Sequence, residues 1–223
     1  MTSFALKVLA CISMFLDHVG YVIFGRMSFL NYIGRLAFPI FAYQISEGYS
    51  HTKNLKKYFL RLFVFAIVSQ VPFSLFHSIL NGSYLALNVM FTLLLGLVCI
   101  YIWDKCPNKI LSCIVLASSC LLAEFCKMDY GYFGVLVVFV FYLFKHDKAL
   151  LASSFFALLL IKFLPNIITY NFYYKYVMLL FCTFAAIVPI LLYNGKQGKK
   201  IKYFLYVFYP VHLLVLYFVN MIP

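Results

Sequence analysis

The sequence predicts an all-α fold, a polytopic integral-membrane bundle of about nine helices, and three observations predict it. Of its 223 residues, 65% are apolar and 11% charged, against about 45–50% and about 25% in soluble domains. Mean hydropathy is +0.98. A soluble core of this size needs more polar skin than the chain has, so lipid is its solvent. The second observation is that the apolar runs have helix length, with no soluble linker between them. The third is the placing of charge: 18 Lys and Arg against 6 Asp and Glu, net +12, gathered between the runs. Basic residues that punctuate apolar runs point to positive-inside topology and anionic headgroups, not to nucleic acid. This composition excludes a soluble globular domain, a disordered chain and a disulfide scaffold.

The expected spans are about 5–24, 28–48, 57–76, 87–103, 109–125, 130–145, 148–164, 175–193 and 203–221. The first carries Asp17 and His18 and lacks a small-residue cleavage site, so it is read as a permanent helix and not a signal peptide. The second and third contain Pro39 and Pro72, which are expected to kink them. The fourth shows Asn88, Thr92 and Gly96 at four-residue spacing, a polar-to-small stripe. The seventh ends at about 164, and the stretch from Asn166 to Tyr176 reads as interfacial.

Loops after spans two, four, six and eight carry Lys53, Lys56 and Lys57; Lys105 and Lys109; Lys145 and Lys148; and Lys196, Lys199, Lys200 and Lys202. Intervening loops are poorer, with Arg26, then none, then Lys127, then Lys162 and Lys175. The alternation sets the N-terminus and even loops in the cytosol and the C-terminus outside, with residues 1–223 forming one transmembrane domain in the cell membrane. The seven cysteines contain no CxxC pair and read as small apolar packers, so no metal is expected. His77 and His146 read as solvated loop residues.

Charged groups at mid-membrane cost at least about 2.5–3.5 kcal/mol, so each needs a partner or a purpose. His18 lies about 16 Å along the helix from Lys7, and Arg35 is at similar depth. Asp17 and Arg35 therefore read as a buried ion pair. Adjacent helical residues point about 100° apart, so His18 would face a cavity instead. Two readings stand for His18: a satisfied helix–helix contact, or a general base, for which a neutral imidazole suits pH 7. Glu47 and His51, one turn apart, read either as an interface pair or as a cytosolic entrance. Tyr209-Pro210-Val211-His212 sets a second buried histidine one turn from Tyr209, with packing and function equally open.

Further strings stand in a fixed order: Asp17-His18; Gly34-Arg35-Leu36-Ala37-Phe38-Pro39-Ile40-Phe41-Ala42; Glu47-Gly48; His51-Thr52-Lys53-Asn54; Ser69-Gln70-Val71-Pro72-Phe73; Asn88-Val89-Met90-Phe91-Thr92; and Tyr209-Pro210-Val211-His212. This combination resembles the TraX family, named for the protein needed to acetylate the N-terminus of F pilin. The resemblance is dense over about 5–96 and looser in the last span; residues 110–200 match mainly by hydrophobicity.

The resemblance implies a bacterial inner-membrane acyltransferase that draws acetyl or another acyl group from acetyl-CoA or acyl-CoA. It implies His18 as base, with Asp17 and Arg35 organising it. Glu47, His51, Asn54, Lys57 and Arg61 would take the donor at the cytosolic mouth. Asn88, Thr92, Tyr209 and His212 would face the substrate, with Asn88, Thr92 or Arg35 offering donors to the oxyanion. The acceptor would be an amine or hydroxyl on a peptide, sugar or lipid; nothing in the resemblance selects one. Two other classes stand beside it. The same buried polar cluster would serve a small transporter or flippase, or the polar residues would only pack helices in an assembly factor.

Overall fold

The computed structural model describes residues 1–25, 27–81, 85–171, 173–199 and 202–221. Each expected segment is helical there, and three of them are broken. The first is α1 (Ser3–Phe24). The second divides into α2 (Phe29–Gly34) and α3 (Ala37–His51), and the third into α4 (Leu55–Val68) and α5 (Gln70–Asn81). Then come α6 (Val89–Lys105), α7 (Lys109–Phe125), α8 (Gly131–Leu143) and α9 (Lys148–Thr169). The eighth divides into α10 (Tyr174–Phe184) and α11 (Ile187–Leu191), and the last is α12 (Lys202–Asn220).

Each of the three breaks coincides with a proline. Pro39, Pro72 and Pro189 stand four residues after Arg35, Val68 and Ala185. Proline has no N–H to donate to the carbonyl four residues back, and its ring pushes that carbonyl away. The chain turns there, by 43° between α4 and α5. Pro165 and Pro210 behave differently: α9 runs through the one to Thr169, so the expected end at 164 is corrected, and α12 runs through the other.

Nine helical segments among the described residues do not amount to nine shown membrane crossings. Three are long and apolar enough alone: α1, α9 and the joined Tyr174–Leu191. The bent α4–α5 pair makes a fourth if it is one span. The 13 residues of α8 give about 20 Å, short of the roughly 30 Å hydrocarbon layer. That helix is wrapped by its neighbours, with Phe133, Val137 and Phe141 buried. A Cβ on Gly96 would lie 2.7 Å from the Cβ of Val138, so glycine is what lets α6 meet α8 so closely. Around the bundle, side chains such as Ile114, Leu121, Phe125, Ile161 and Phe181 are exposed. An apolar surface of this extent belongs against lipid, and the chain is a helical membrane protein.

The contacts sort the helix ends into two faces. At one face Ser3 N–H donates to the Lys196 carbonyl at 2.9 Å. Asp104 there accepts from Tyr49 (2.9 Å) and Tyr142 (3.1 Å), and Lys145 reaches Ser50 at 2.7 Å. The N-terminus and the turns near 52, 106, 146 and 195 therefore share this end, with the basic residues that the loop alternation grouped. At the other face Leu87 N–H donates to the Lys127 carbonyl (3.2 Å), and Asp129 N–H donates to the Leu87 carbonyl (2.8 Å). Arg26, Lys200 and residues 82–84 lie outside the described residues.

Candidate functional site

The site begins with a glycine. A Cβ on Gly34 would sit 2.3 Å from the Cβ of Asp17, so α2 lies directly on α1. The next residue, Arg35, then reaches back and its guanidinium pairs with the Asp17 carboxylate. Asn31, fully buried, donates to the Asp17 carbonyl at 2.7 Å and to its carboxylate at 3.2 Å. Arg35 Nε donates to the Asn31 carbonyl at 3.2 Å. Charge and polar groups are thus satisfied within the α1–α2 contact, as a buried pair requires.

His18 turns away from Asp17 toward α12. Its Nδ1 lies 2.8 Å from Nε2 of His212, and Nδ1 of His212 lies 2.7 Å from the Phe208 carbonyl. A carbonyl only accepts, so His212 holds its proton on Nδ1 and accepts at Nε2. His18 must then donate from Nδ1. In the neutral ring its Nε2 is left with the lone pair, the basic atom. Phe76 and Phe208 pack against the two imidazoles, with ring centroids at 4.9 and 4.8 Å. His212, expected against substrate, is instead the partner that orients His18.

A cavity of about 630 Å³ opens at the basic end. Its mouth carries His51, Asn54, Lys57 and Arg61, four of the five residues expected there. Asn54 also caps α4, accepting from Lys57 N–H at 2.9 Å. Glu47 does not line it; its carboxylate lies 3.5 Å from Nδ1 of His51 and bonds Tyr193, whose phenol, in the loop beyond α11, is pushed up to about 12 by burial and by Glu47. The deep end is formed by Met14, Val89, Met90 and Tyr209. Met14 and Tyr209 are one turn before His18 and His212. The cavity thus stops one turn short of the histidine pair, where the sequence alone has His18 facing it. Gln44 is on the wall, 8% exposed. Ser3 bonds its Oε1 at 2.7 Å, while its Nε2 is buried with no partner. Turning the amide over only exchanges which end is unpaired.

Two expected substrate residues have other work. Asn88 donates to the Ala66 carbonyl (2.7 Å) and to Gln70 (2.9 Å), and its Oδ1 caps α6 at Met90 N–H (3.0 Å). Thr92 donates to the Asp129 carbonyl. Neither lines the cavity, because their hydrogen bonds are spent on seating α6 against α4 and on the α7–α8 turn. His77 is corrected too: it lies in α5, stacked on Phe73 at 5.3 Å.

The structure adds Asp129, which sequence reasoning passed over, and moves Lys162 from an intervening loop into α9. Asp129 and Lys162 lie within electrostatic reach of Arg35, and the Lys162 ammonium sits 4.3 Å from the Phe133 ring centroid. Asp129 is in the turn between α7 and α8, and burial raises its carboxyl to about 6 against the pull of Arg35 and Lys162. The one signal was the acid itself, two residues after Lys127 in the short charged stretch ahead of Gly131.

Known proteins share this chain's pattern. The family model described as TraX protein matches residues 3–220. A probable fimbrial assembly protein FimC, serogroup H1, of Dichelobacter nodosus is 27% identical, over 96% of this chain and 94% of its own. An uncharacterized protein of Rickettsia prowazekii (strain Madrid E) is 25% identical, over 88% of this chain and 80% of its own. No solved structure matches the chain.

Proposed function

The chain belongs to the TraX family, and from that premise we propose that it is an integral-membrane acyltransferase using acyl-CoA, with acetyl-CoA the first donor to test. The observation that carries the reading is the alignment of a basic-mouthed cavity with the histidine pair one turn beyond its floor. In this reading the basic end faces the cytosol, each helical segment crosses the membrane, and the C-terminus lies outside. Lys57 and Arg61 attract the donor's phosphates. The unpaired end of Gln44 meets an amide of the pantetheine arm, and the thioester reaches the floor between Met14 and Tyr209.

An acceptor amine or hydroxyl attacks the thioester carbonyl while Nε2 of His18 takes its proton. The tetrahedral adduct expels the CoA thiolate, which recovers a proton from the His18 imidazolium. His212 and the Phe208 carbonyl hold the tautomer that leaves Nε2 free. Asp17 and Arg35 keep α2 in place beside it. The acceptor class stays with the peptide, sugar and lipid candidates.

The test is acetyl-CoA binding and slow thioester hydrolysis by the purified protein in detergent. Wild type and His18→Ala should both bind, and hydrolysis should fall at least about 10²-fold in the variant. Equal turnover in His18→Ala would remove His18 from the reaction. No binding by folded wild type would sink the acyltransferase reading in favour of a transporter.

A further inference from the structure

A second concavity of about 1090 Å³ lies on the outer surface of the bundle, between α4 and α6. Its walls are Phe59, Leu60 and Phe63 from one helix and Leu94, Val98 and Ile102 from the other. Leu55 to Phe63 and Leu94 to Ile102 are each eight residue steps apart, about 12 Å at 1.5 Å per residue. That is close to one leaflet, half of a roughly 30 Å hydrocarbon layer. The groove runs from mid-bundle to the basic end, where Lys53, Lys56 and Lys105 stand at its rim. Lys105 pairs with Asp104 at 2.9 Å. Lys53 and Lys56 have no ion-pair partner among the described residues.

An apolar trough of leaflet length, closed at one end by lysines, matches an acyl chain below an anionic headgroup. We propose that this groove binds one anionic phospholipid of the leaflet at the basic end, its phosphate on Lys53 and Lys56 and one chain between α4 and α6. Thr52, Lys53 and Asn54 form a wall common to this groove and the first cavity. The lipid therefore braces the α3–α4 turn from the side opposite the cavity. The site depends on the bilayer alone and not on the acyl-transfer reading.

The experiment replaces the single tryptophan, Trp103→Phe, and places a reporter in the groove, Leu60→Trp. The full chain is reconstituted in phosphatidylcholine, and quenching is compared for dibrominated phosphatidylglycerol and dibrominated phosphatidylcholine at equal mole fraction. Phosphatidylglycerol should be preferred at least about fivefold, and the preference should fall to unity in Lys53→Gln/Lys56→Gln/Lys105→Gln. Equal quenching by both lipids overturns the proposal and needs no lysine variant to fold. A preference that survives the triple substitution, or that a reporter at Ile114→Trp on α7 shows equally, also overturns it.

Discussion

Asp17, Asn31 and Arg35 form a closed set in which each polar group answers another, and removing one leaves a charge in the bundle without a partner. Asp17→Asn and Arg35→Gln should each cost about 3–5 kcal/mol of stability. The double variant should cost well under their sum, as thermal unfolding in detergent over a full cycle would reveal. Additive losses would mean the two groups do not act as a pair. Asp129 sets a different expectation. Burial raises its carboxyl to about 6, above the ordinary value near 3.9. The folded state then holds a proton that the unfolded state has released, so stability falls as pH rises from about 4 to about 6 and is flat on either side. Asp129→Asn should remove that slope in melts taken at pH 4 and pH 7. The pairing of Asp17 with Arg35 was legible from depth along two helices and the 100° offset of His18. The His18–His212 bond was not, since nothing in residues 194 positions apart states that they touch.

At the scale of the element, every division of a helical segment falls at a proline. Hydropathy located every helical segment within a few residues, because lipid demands apolar runs of helix length. It could not say which runs are continuous, because an apolar residue looks the same on either side of a break. The reason lies in backbone hydrogen bonding: Pro39, Pro72 and Pro189 remove a donor to the carbonyl four residues back, and each segment divides there. Pro165 and Pro210 remove one too, and α9 and α12 continue. Nothing in the structure explains that difference. Pro72→Ala restores the donor to Val68. Spin labels at Leu60 and Ser78 should then move apart as the 43° bend opens toward a straight rod. An unchanged distance would assign the bend to packing of α5 against α12.

For the molecule as a whole, the alternation of basic loops proved to be a map of its two ends. Lys53, Lys105, Lys145 and Lys196, far apart in the chain, stand at one face because the helices between them run up and down. In a cysteine-free background, Leu85→Cys and Gly195→Cys should react with an impermeant maleimide from opposite sides of the membrane. Labelling from the same side would break the proposed topology. The cavity at the basic end was legible as a mouth, through His51, Asn54, Lys57 and Arg61. Of its floor only Tyr209 was legible, as an expected substrate residue; Met14 is an ordinary apolar member of α1 until the fold brings the two together.

The separation of 194 residues between His18 and His212 also bears on how the protein is made. A ribosome delivers α1 first and α12 last, so His18 waits through nearly the whole of synthesis with no partner for its Nδ1. Until α12 arrives, nothing dictates which nitrogen of His18 holds the proton. If the proposed acyl transfer is the reaction, competence is conferred by the arrival of α12, and stalled or prematurely released chains are inert toward thioesters.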